Sequence, residues 1–262
     1  MQKNIDIQIG WGYNEEKTGG LPMFLLEKHT EIDSTNNRAK ALALEGKRNL
    51  CVVADRQTGG RGRMGRQFFS PEGSGLYFSL LISPTVKGED GALLTTFAAV
   101  AVAEVLEELT GKETFIKWVN DVYINGRKIC GILTEGSVDY ETWRLAYAVI
   151  GIGINLGKTA FPEELASIAS DVERETGVTL SRDTVLQALL AKFERMEEAF
   201  EIGAFMETYR KKCFVLGKDV TVTRGNERFP AKALDVNARG ELVVEANGQT
   251  MILPSGEVSV RM

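Results

Sequence analysis

Apolar residues along most of the chain follow two alternating periods, one helical and one extended. Helical spacing predicts four helices, over residues 36–44, 91–109, 184–202 and 203–213. Ser34 and Thr35 precede the first of them as caps, and Gly46 and Gly111 close the first two. Strand-like runs cover residues 50–54, 76–82, 115–118, 122–124, 128–135 and 145–156. The pattern therefore predicts a domain with both helices and a sheet.

The pattern changes after Gly217, where only short strand-like runs remain between Gly and Asn turns. These runs cover residues 220–223, 231–236, 241–245, 250–253 and 257–260. Such spacing predicts a small β-barrel. At the other end of the chain, residues 1–22 are rich in glycine and show no period, so we expect a tail or a short extension. That segment is too short for a helix-turn-helix domain.

Composition narrows the class of protein. The 262 residues carry a formal net charge of -5, which does not suggest a nucleic-acid-binding domain. Cys51, Cys130 and Cys213 lie far apart and only one histidine is present, so neither zinc spacing nor a disulfide framework is indicated. The N-terminal residues show no signal peptide, and no run is long enough to cross a membrane. We therefore expect a cytoplasmic protein with buried cysteines.

The densest chemical signal is a loop of four glycines and three arginines at residues 59–66, here called the glycine–arginine loop. Glycine lets backbone N–H groups converge on an anion, and arginine adds charged donors. The loop formally matches a dinucleotide fingerprint, but residues 67–71 do not begin a helix as that motif requires. The loop is not a Walker loop because it contains no Gly-Lys-Ser/Thr, and Gly157-Lys158-Thr159 has Ile152 where that motif needs its first glycine. Two interpretations of residues 59–66 remain: a phosphate-binding loop and a solvated surface loop.

Two further clusters have both functional and structural interpretations. Lys117 to Asp121, with Lys128 across the Asn125-Gly126 hairpin turn, could bind Mg²⁺ and an anion, or could be solvent-facing charges. Gly151 and Gly153 interrupt an apolar strand, which indicates close approach of a ligand or of a neighbouring side chain.

Together these segments resemble the biotin protein ligases. The motifs that carry the resemblance are residues 33–36, 57–66, 70–71, 117–121, 127–133, 151–155 and 256–259. Their order and spacing are specific, although each alone is weak. The resemblance implies an α+β fold: an extension over residues 1–28, a mixed-sheet biotin/lipoate ligase-like catalytic domain over 29–214, and an SH3-like β-barrel over 215–262. It also implies a short form of the family without the N-terminal helix-turn-helix repressor domain, and therefore no DNA binding.

The resemblance also implies roles for individual residues. Catalysis would fall to Lys128, Arg63 and Asp121, with Asp121 also the Mg²⁺ ligand. Biotin would be bound by Ser34, Thr35, Asn36, Gln57, Arg61, Gly62, Arg63, Lys128 and Gly131. ATP would be bound by Arg61, Arg63, Arg66, Phe68, Lys117, Asn120 and Asn155.

Phe68 and Val119 depart from the family pattern. Phe68 stands where the family usually has a tryptophan, and a phenylalanine can still stack, over less area. Val119 replaces a usual proline, so that turn loses some rigidity.

The implied activity is ATP-dependent formation of biotinyl-5'-AMP and transfer of biotin to a lysine of a biotin carboxyl carrier domain. A homodimer is an expectation from the family. The alternatives are a lipoate or octanoate ligase with the same chemistry, and a non-catalytic biotin-binding regulator.

Overall fold

A mixed eight-stranded sheet forms the centre of the part of the chain that the structure describes. The structure is a computed structural model, and it describes residues 5–8, 24–84, 87–255 and 258–261. The strands are β1 (Ile5–Gln8), β2 (Leu25–Ile32), β3 (Leu50–Gln57), β4 (Gly75–Ile82), β5 (Phe115–Lys117), β6 (Asp121–Ile124), β7 (Arg127–Asp139) and β8 (Arg144–Asn155). Their spatial order is β1-β2-β3-β4-β8-β7-β6-β5. Only β2 and β3 pair in parallel, and the other neighbours are antiparallel.

Seven helices accompany this sheet within the described ranges. They are α1 (Thr35–Leu44), α2 (Ala92–Thr110), α3 (Glu163–Ala166), α4 (Val172–Thr176), α5 (Arg182–Glu194), α6 (Met196–Ile202) and α7 (Phe205–Lys212). Gly111 closes α2 in the left-handed conformation that its position predicted. None of these helices is long and apolar enough to cross a membrane.

The two faces of the sheet are covered unequally. The larger core lies on the side of α2 and α5, and it continues into the C-terminal sheet. The smaller core lies under α1, where Leu42 and Ala43 pack on Val52, Leu81 and Val149. Helix α1 covers only this part of its side of the sheet. The loop that follows β3 covers the rest of that side, beyond the first residues of α1.

A five-stranded antiparallel sheet follows α7. Its strands are β9 (Asp219–Arg224), β10 (Glu227–Val236), β11 (Leu242–Ala246), β12 (Gln249–Leu253) and β13 (Val258–Arg261), in the order β12-β11-β10-β9-β13. It packs on the first domain, where buried Trp118 donates its indole N–H to the Gly240 carbonyl at 3.0 Å. Within the described residues β12 and β13 do not pair, so SH3-like barrel closure stays a prediction. Gly256 and Glu257 of the closing motif lie outside the described residues.

The helix and strand predictions are confirmed in kind, with two differences. The single helix expected over residues 184–202 is wrong, because the helix breaks at Arg195 (φ -102°, ψ 13°). The break lets Phe193 and Phe200 both pack edge-on against Phe97, at centroid distances of 5.4 and 5.6 Å. The short helices α3 and α4 and the strands β1 and β2 were not predicted.

The N-terminal segment and the cysteines can also be compared with their sequence predictions. Strand β1 adds an edge to the sheet beside β2, and β2 begins at Leu25. Residues 1–4 and 9–23 of the expected extension lie outside the described residues. Cys51, Cys130 and Cys213 are unpaired and buried, as predicted.

Candidate active site

Three glycines form a floor on the sheet face that α1 leaves open. Gly131 of β7 pairs with Gly153 of β8, and Gly151 lies two residues earlier on the same face. Asp121 of β6 pairs with Gly131, and Lys117 of β5 pairs with Asp121. Because directly opposed residues on neighbouring strands share a face, both charged residues border this glycine floor. Lys117 and Asp121 are thus brought to the same surface as Gly131.

The ring of Phe68 covers the glycine floor. A Cβ atom on Gly153 would lie 2.4 Å from this ring, and one on Gly131 would lie 3.0 Å from it. Phe68 also packs edge-on against Tyr77, with centroids 6.4 Å apart. The glycines are required here because any side chain would displace the aromatic ring. The space that remains beside them is about 20 Å³, too small for a bicyclic ligand.

Polar side chains form one wall of this pocket, here called the pocket wall: Thr35, Asn36 and half-buried Gln57 line the pocket, and buried Ser79 lies behind them, bonded to Thr35 and Asn36. The Thr35 backbone N–H and hydroxyl donate to Gln57 Oε1 at 2.9 and 3.2 Å. Ser79 Oγ lies 2.7 Å from Thr35 Oγ1 and 2.6 Å from Asn36 Oδ1. Asn36 and Ser79 are 4% and 0% exposed, so these bonds are shielded from water. Ser34, at the N-cap of α1, lines the same pocket and is also buried.

The glycine–arginine loop folds back on itself beside the pocket. Phe68 N–H donates to the Gly60 carbonyl at 2.9 Å, and Gly62 N–H donates to the Arg66 carbonyl at 2.7 Å. Met64 sits at the tip with a left-handed φ of 56°. Gly60 has no room for a side chain, because a Cβ would lie 2.4 Å from the Phe68 carbonyl oxygen. The loop is therefore a short turn closed by backbone hydrogen bonds, and Phe68 lies two residues after its end.

Arg63 points from the loop toward the turn before β6. Its guanidinium donates to Asn120 Oδ1 at 3.2 Å and to the backbone carbonyl of Ser255 in the C-terminal sheet region. The Asn120 amide in turn donates to the Ile132 carbonyl at 2.8 Å, which fixes its orientation. Burial lowers the pKa of Arg63, although the Asp121 carboxylate opposes this effect. The group stays cationic, because an arginine titrates far above neutrality.

Lys128 and Asp121 form an ion pair at the edge of the glycine floor. Lys128 Nζ lies 2.7 Å from Asp121 Oδ1, although the angles are not those of a hydrogen bond and this buried oxygen has no hydrogen-bond donor. A β-bulge at Ile129 creates the contact, since Cys130 pairs with Val122 whereas Lys128 pairs with Tyr123. The extra residue moves Lys128 onto the face that carries Asp121 and Gly131. We use the name charged cluster for Arg63, Asn120, Asp121 and Lys128.

The remaining predicted site residues take different positions. Arg61 reaches away from Arg63, donating to Asn37 Oδ1 at 3.0 Å and lying 3.3 Å from Glu135 Oε1. Arg66 is exposed on the loop. Asn155 is buried and donates its amide to the Ser170 carbonyl at 3.0 Å, so it tethers the segment before α4.

Sequence reasoning missed two residues at this site. Ser79 is the one serine of β4, whose other residues are glycine, aliphatic or aromatic, and that exception in the pattern was the signal available. Glu135 lies near the middle of β7 and accepts the Asn36 amide at 2.9 Å. Its sequence position alone carries no such signal, because the contact joins residues 99 apart in the chain.

A larger cavity adjoins the pocket on the side of residues 67–72, which follow the glycine–arginine loop. Its volume is about 600 Å³, and it shares Gln57 and Phe68 with the pocket. Pro162 and Leu165 at α3 line its far side. Phe68 therefore separates a nearly filled pocket from an open cavity.

Two family models and several relatives match this chain. Residues 29–155 match the model of the biotin/lipoate A/B protein ligase family, and residues 215–261 match the biotin protein ligase C-terminal domain. The bifunctional ligase/repressor BirA of Bacillus subtilis is 36% identical over 225 residues, which cover 84% of this chain and 69% of BirA. A biotin--[acetyl-CoA-carboxylase] ligase of Paracoccus denitrificans is 28% identical, over 86% of this chain and 96% of its own.

A solved structure gives the same result for the whole fold. The biotin protein ligase of Aquifex aeolicus, in complex with biotin and ATP, superposes with a TM-score of 0.77 and 32% sequence identity. The alignment covers 90% of this chain and 98% of that one. Matching family models over both parts of the chain, a relative above 30% identity and a shared fold lead to one conclusion. The chain belongs to the biotin protein ligase family.

Proposed function

We propose that this protein activates biotin with ATP to form biotinyl-5'-AMP and then transfers biotin to a lysine of a carrier domain. One observation carries the proposal. A glycine-floored pocket with a satisfied polar wall lies directly beside a cluster of two cations and a carboxylate. A pocket of this kind suits a neutral ring system with polar edges, and the adjacent cations suit the carboxylate and phosphate that must react.

The pocket wall would receive the ureido end of biotin. Its hydroxyl and amide groups are already held by one another, so little side-chain freedom is lost when a ligand binds. Phe68 must move, because about 20 Å³ of free space does not admit a bicyclic ring. The neighbouring cavity of about 600 Å³ gives the ring somewhere to go.

The activation step would take place at the charged cluster. A carboxylate oxygen of biotin attacks the α-phosphorus of ATP, and the bond to the pyrophosphate leaving group breaks, with no net proton transfer. Negative charge builds up on the α-phosphate oxygens, where Lys128 and Arg63 can stabilise it. Their positions are set in advance by Asp121 and Asn120, which lowers the reorganisation needed in the transition state.

In the transfer step, the neutral amine of an acceptor lysine attacks the acyl carbon, the bond from that carbon to the phosphate oxygen breaks, AMP leaves, and the nitrogen loses one proton to water. The mixed anhydride reacts readily with water, so the intermediate must be covered until the acceptor arrives. The glycine–arginine loop is placed for this role, because its Arg61 lines the pocket and its Arg63 donates to Asn120.

Mg²⁺ fits this site as an ion held mainly by the nucleotide. Asp121 Oδ1 is buried and accepts no hydrogen bond, so it can serve as a protein ligand. No group of three or more His, Cys, Asp or Glu side chains suited to a metal occurs within the described ranges. This agrees with a cation that uses one carboxylate and several phosphate oxygens. When bound, Mg²⁺ would neutralise charge on the ATP phosphates.

The partner follows from the reaction and from the relatives. Because one relative is called a biotin--[acetyl-CoA-carboxylase] ligase, a biotin carboxyl carrier domain of a carboxylase is the proposed acceptor. The need for ATP and for that acceptor makes the cytoplasm the proposed location.

The test is a two-stage assay on the purified protein. Incubation with ATP, Mg²⁺ and labelled biotin should release pyrophosphate and form labelled biotinyl-5'-AMP. Added carrier domain should then become labelled on lysine. A binding protein without activity would retain biotin and release no pyrophosphate. A lipoate or octanoate ligase would instead turn over with those acids, and unlabelled lipoate would compete with biotin.

A further inference from the structure

A single carboxylate connects the glycine–arginine loop to the rest of the site. Glu135 Oε1 lies 3.3 Å from Arg61 Nη2 and accepts Lys40 Nζ at 3.0 Å. Its other oxygen, Oε2, accepts the Asn36 amide at 2.9 Å. Glu135 therefore touches the loop, helix α1 and the pocket wall at once.

The surroundings of Glu135 keep it ionised. Burial raises the pKa of its carboxyl group, but the bonds from Asn36 and Lys40 and the charge of Arg61 outweigh this, and the pKa falls below its ordinary value of 4.5. The side chain is 22% exposed, so solvent weakens these attractions less than at an open surface. At neutral pH the carboxylate is thus a fixed negative charge opposite the loop.

Arg61 and Arg63 hold the loop from opposite sides. Arg63 bonds to Asn120 and to the Ser255 carbonyl, on the side of β6 and the C-terminal sheet. Arg61 bonds to Asn37 and pairs with Glu135, on the side of α1 and β7. The loop has no apolar core of its own, since Met64 at its tip is 49% exposed. Its closed position therefore depends on these charged contacts.

We propose that Glu135 is a positioning residue that anchors the closed glycine–arginine loop through Arg61. It does not touch the reacting atoms. It acts by holding the loop over the intermediate and by fixing the Asn36 amide in the pocket wall. The role in retaining the intermediate rests on the proposed function, whereas the anchoring of the loop does not.

The variant Glu135→Gln isolates the charge. Gln keeps one amide oxygen, which can still accept from Asn36, but it loses the attraction for Arg61. The loss of a partly shielded ion pair corresponds to roughly a three- to fivefold faster dissociation of biotinyl-5'-AMP and a similar rise in the biotin KM, with kcat changed less than about twofold. A residue with only a structural role would lower thermal stability without this split between KM and kcat.

Lys40→Met is the matched control. Lys40 contacts the same Glu135 oxygen as Arg61 but belongs to α1. If Glu135 merely balanced the charge of α1, the Lys40→Met variant would reproduce the Glu135→Gln phenotype. We expect the Lys40→Met variant to retain the intermediate like the unmodified protein.

A double-mutant cycle and a ligand-free measurement complete the test. In an Arg61→Ala background, Glu135→Gln should add less than about a twofold effect, because the partner is already gone.

Without any ligand, trypsin should cleave after Arg63 and Arg66 several-fold faster in Glu135→Gln than in Lys40→Met. Equal cleavage in the two variants, or an undiminished effect in the Arg61→Ala background, would refute the anchor. Failure of the unmodified protein to form biotinyl-5'-AMP would refute the proposed function and leave the cleavage result to decide the anchor.

Discussion

The pocket wall and the charged cluster lie on the same sheet face but are built in opposite ways. In the wall, Asn36 and Ser79 are buried and their polar atoms bond to other side chains of the protein. In the cluster, Lys128 and Asp121 are 27% and 20% exposed, and Asp121 Oδ1 accepts no hydrogen bond. The wall is already complete, whereas the cluster holds charges that a ligand could rearrange.

This difference matches the two tasks of an acyl-adenylating enzyme. A neutral ring is best recognised by groups whose positions are fixed before binding, because fixed groups cost little entropy. Phosphate chemistry needs cations placed where negative charge develops, and until the substrate binds these cations keep a counter-ion or another polar partner. Lys128 can leave Asp121 for a phosphate oxygen, and Asp121 can then hold Mg²⁺. Variants of the two regions should therefore fail in different ways.

The largest effect is expected from Lys128→Ala in the charged cluster. Loss of a preorganised charge at the transition state costs about 3–4 kcal/mol, which is roughly a hundredfold or more in the rate of adenylate formation. Biotin affinity should fall far less, since the pocket wall is untouched. Pyrophosphate release and equilibrium binding of labelled biotin measure the two effects separately. Exposed Lys112 gives the control, Lys112→Ala, and an unimpaired rate in the Lys128→Ala variant would rule out the catalytic assignment.

A smaller effect is expected from Arg63→Gly, which removes the bonds to Asn120 and to the Ser255 carbonyl. The loop then loses its hold on the side of the cluster, so biotinyl-5'-AMP should escape about 10- to 100-fold faster. Escaped intermediate acylates lysines of bystander proteins, which streptavidin blotting detects. Retention of labelled intermediate on a filter at the rate of the unmodified protein would contradict this prediction.

The sequence predicted the elements of this site better than their mutual placement. The motif order located Asp33 to Asn36, the loop and the Lys117–Asp121 run, and helix and strand spacing located the sheet that carries them. The bulge at Ile129 could not be read, because it depends on how β6 and β7 pair rather than on the residues of β7 alone. Without it, Lys128 would lie on the opposite face from Asp121.

Phe68 is a second residue whose placement could not be predicted from the local sequence. The resemblance assigned it to ATP binding, and the structure places its ring over Gly131 and Gly153. No local pattern predicts which glycines an aromatic ring will cover, since they come from strands far along the chain. Its role toward ATP stays a prediction.

Gly151→Ala tests whether the pocket wall is as rigid as its bonds indicate. The added Cβ would lie 1.9 Å from Asn36 Oδ1, and Asn36 cannot move without breaking its bonds to Ser79 and Glu135. Overpacking of this kind costs about 1–3 kcal/mol in the free energy of unfolding. Biotin affinity should fall while pyrophosphate release at saturating biotin is largely kept.

The control for this variant is Gly91→Ala, before α2. There an added Cβ would approach its nearest neighbour, the Gly88 carbonyl oxygen, only to 3.4 Å, which is an ordinary contact. Thermal unfolding of the two variants measures the difference. If both unfold at the same temperature, Asn36 is not held as tightly as described.

The smallest effect is expected from Ser79→Ala, which removes one hydroxyl from the pocket wall. Ser79 has one hydrogen for two acceptors, Thr35 Oγ1 and Asn36 Oδ1, so its loss removes one hydrogen bond and leaves acceptors short of a donor. A buried bond of this kind contributes about 1 kcal/mol, so biotin affinity should fall roughly fivefold with little change in the maximal rate. Ser137→Ala, at an exposed position of β7, is the control. A lower maximal rate with unchanged affinity would show that the pocket wall, like the charged cluster, takes part in the chemical step, and the division of the site into a fixed and a rearranging region would then be wrong.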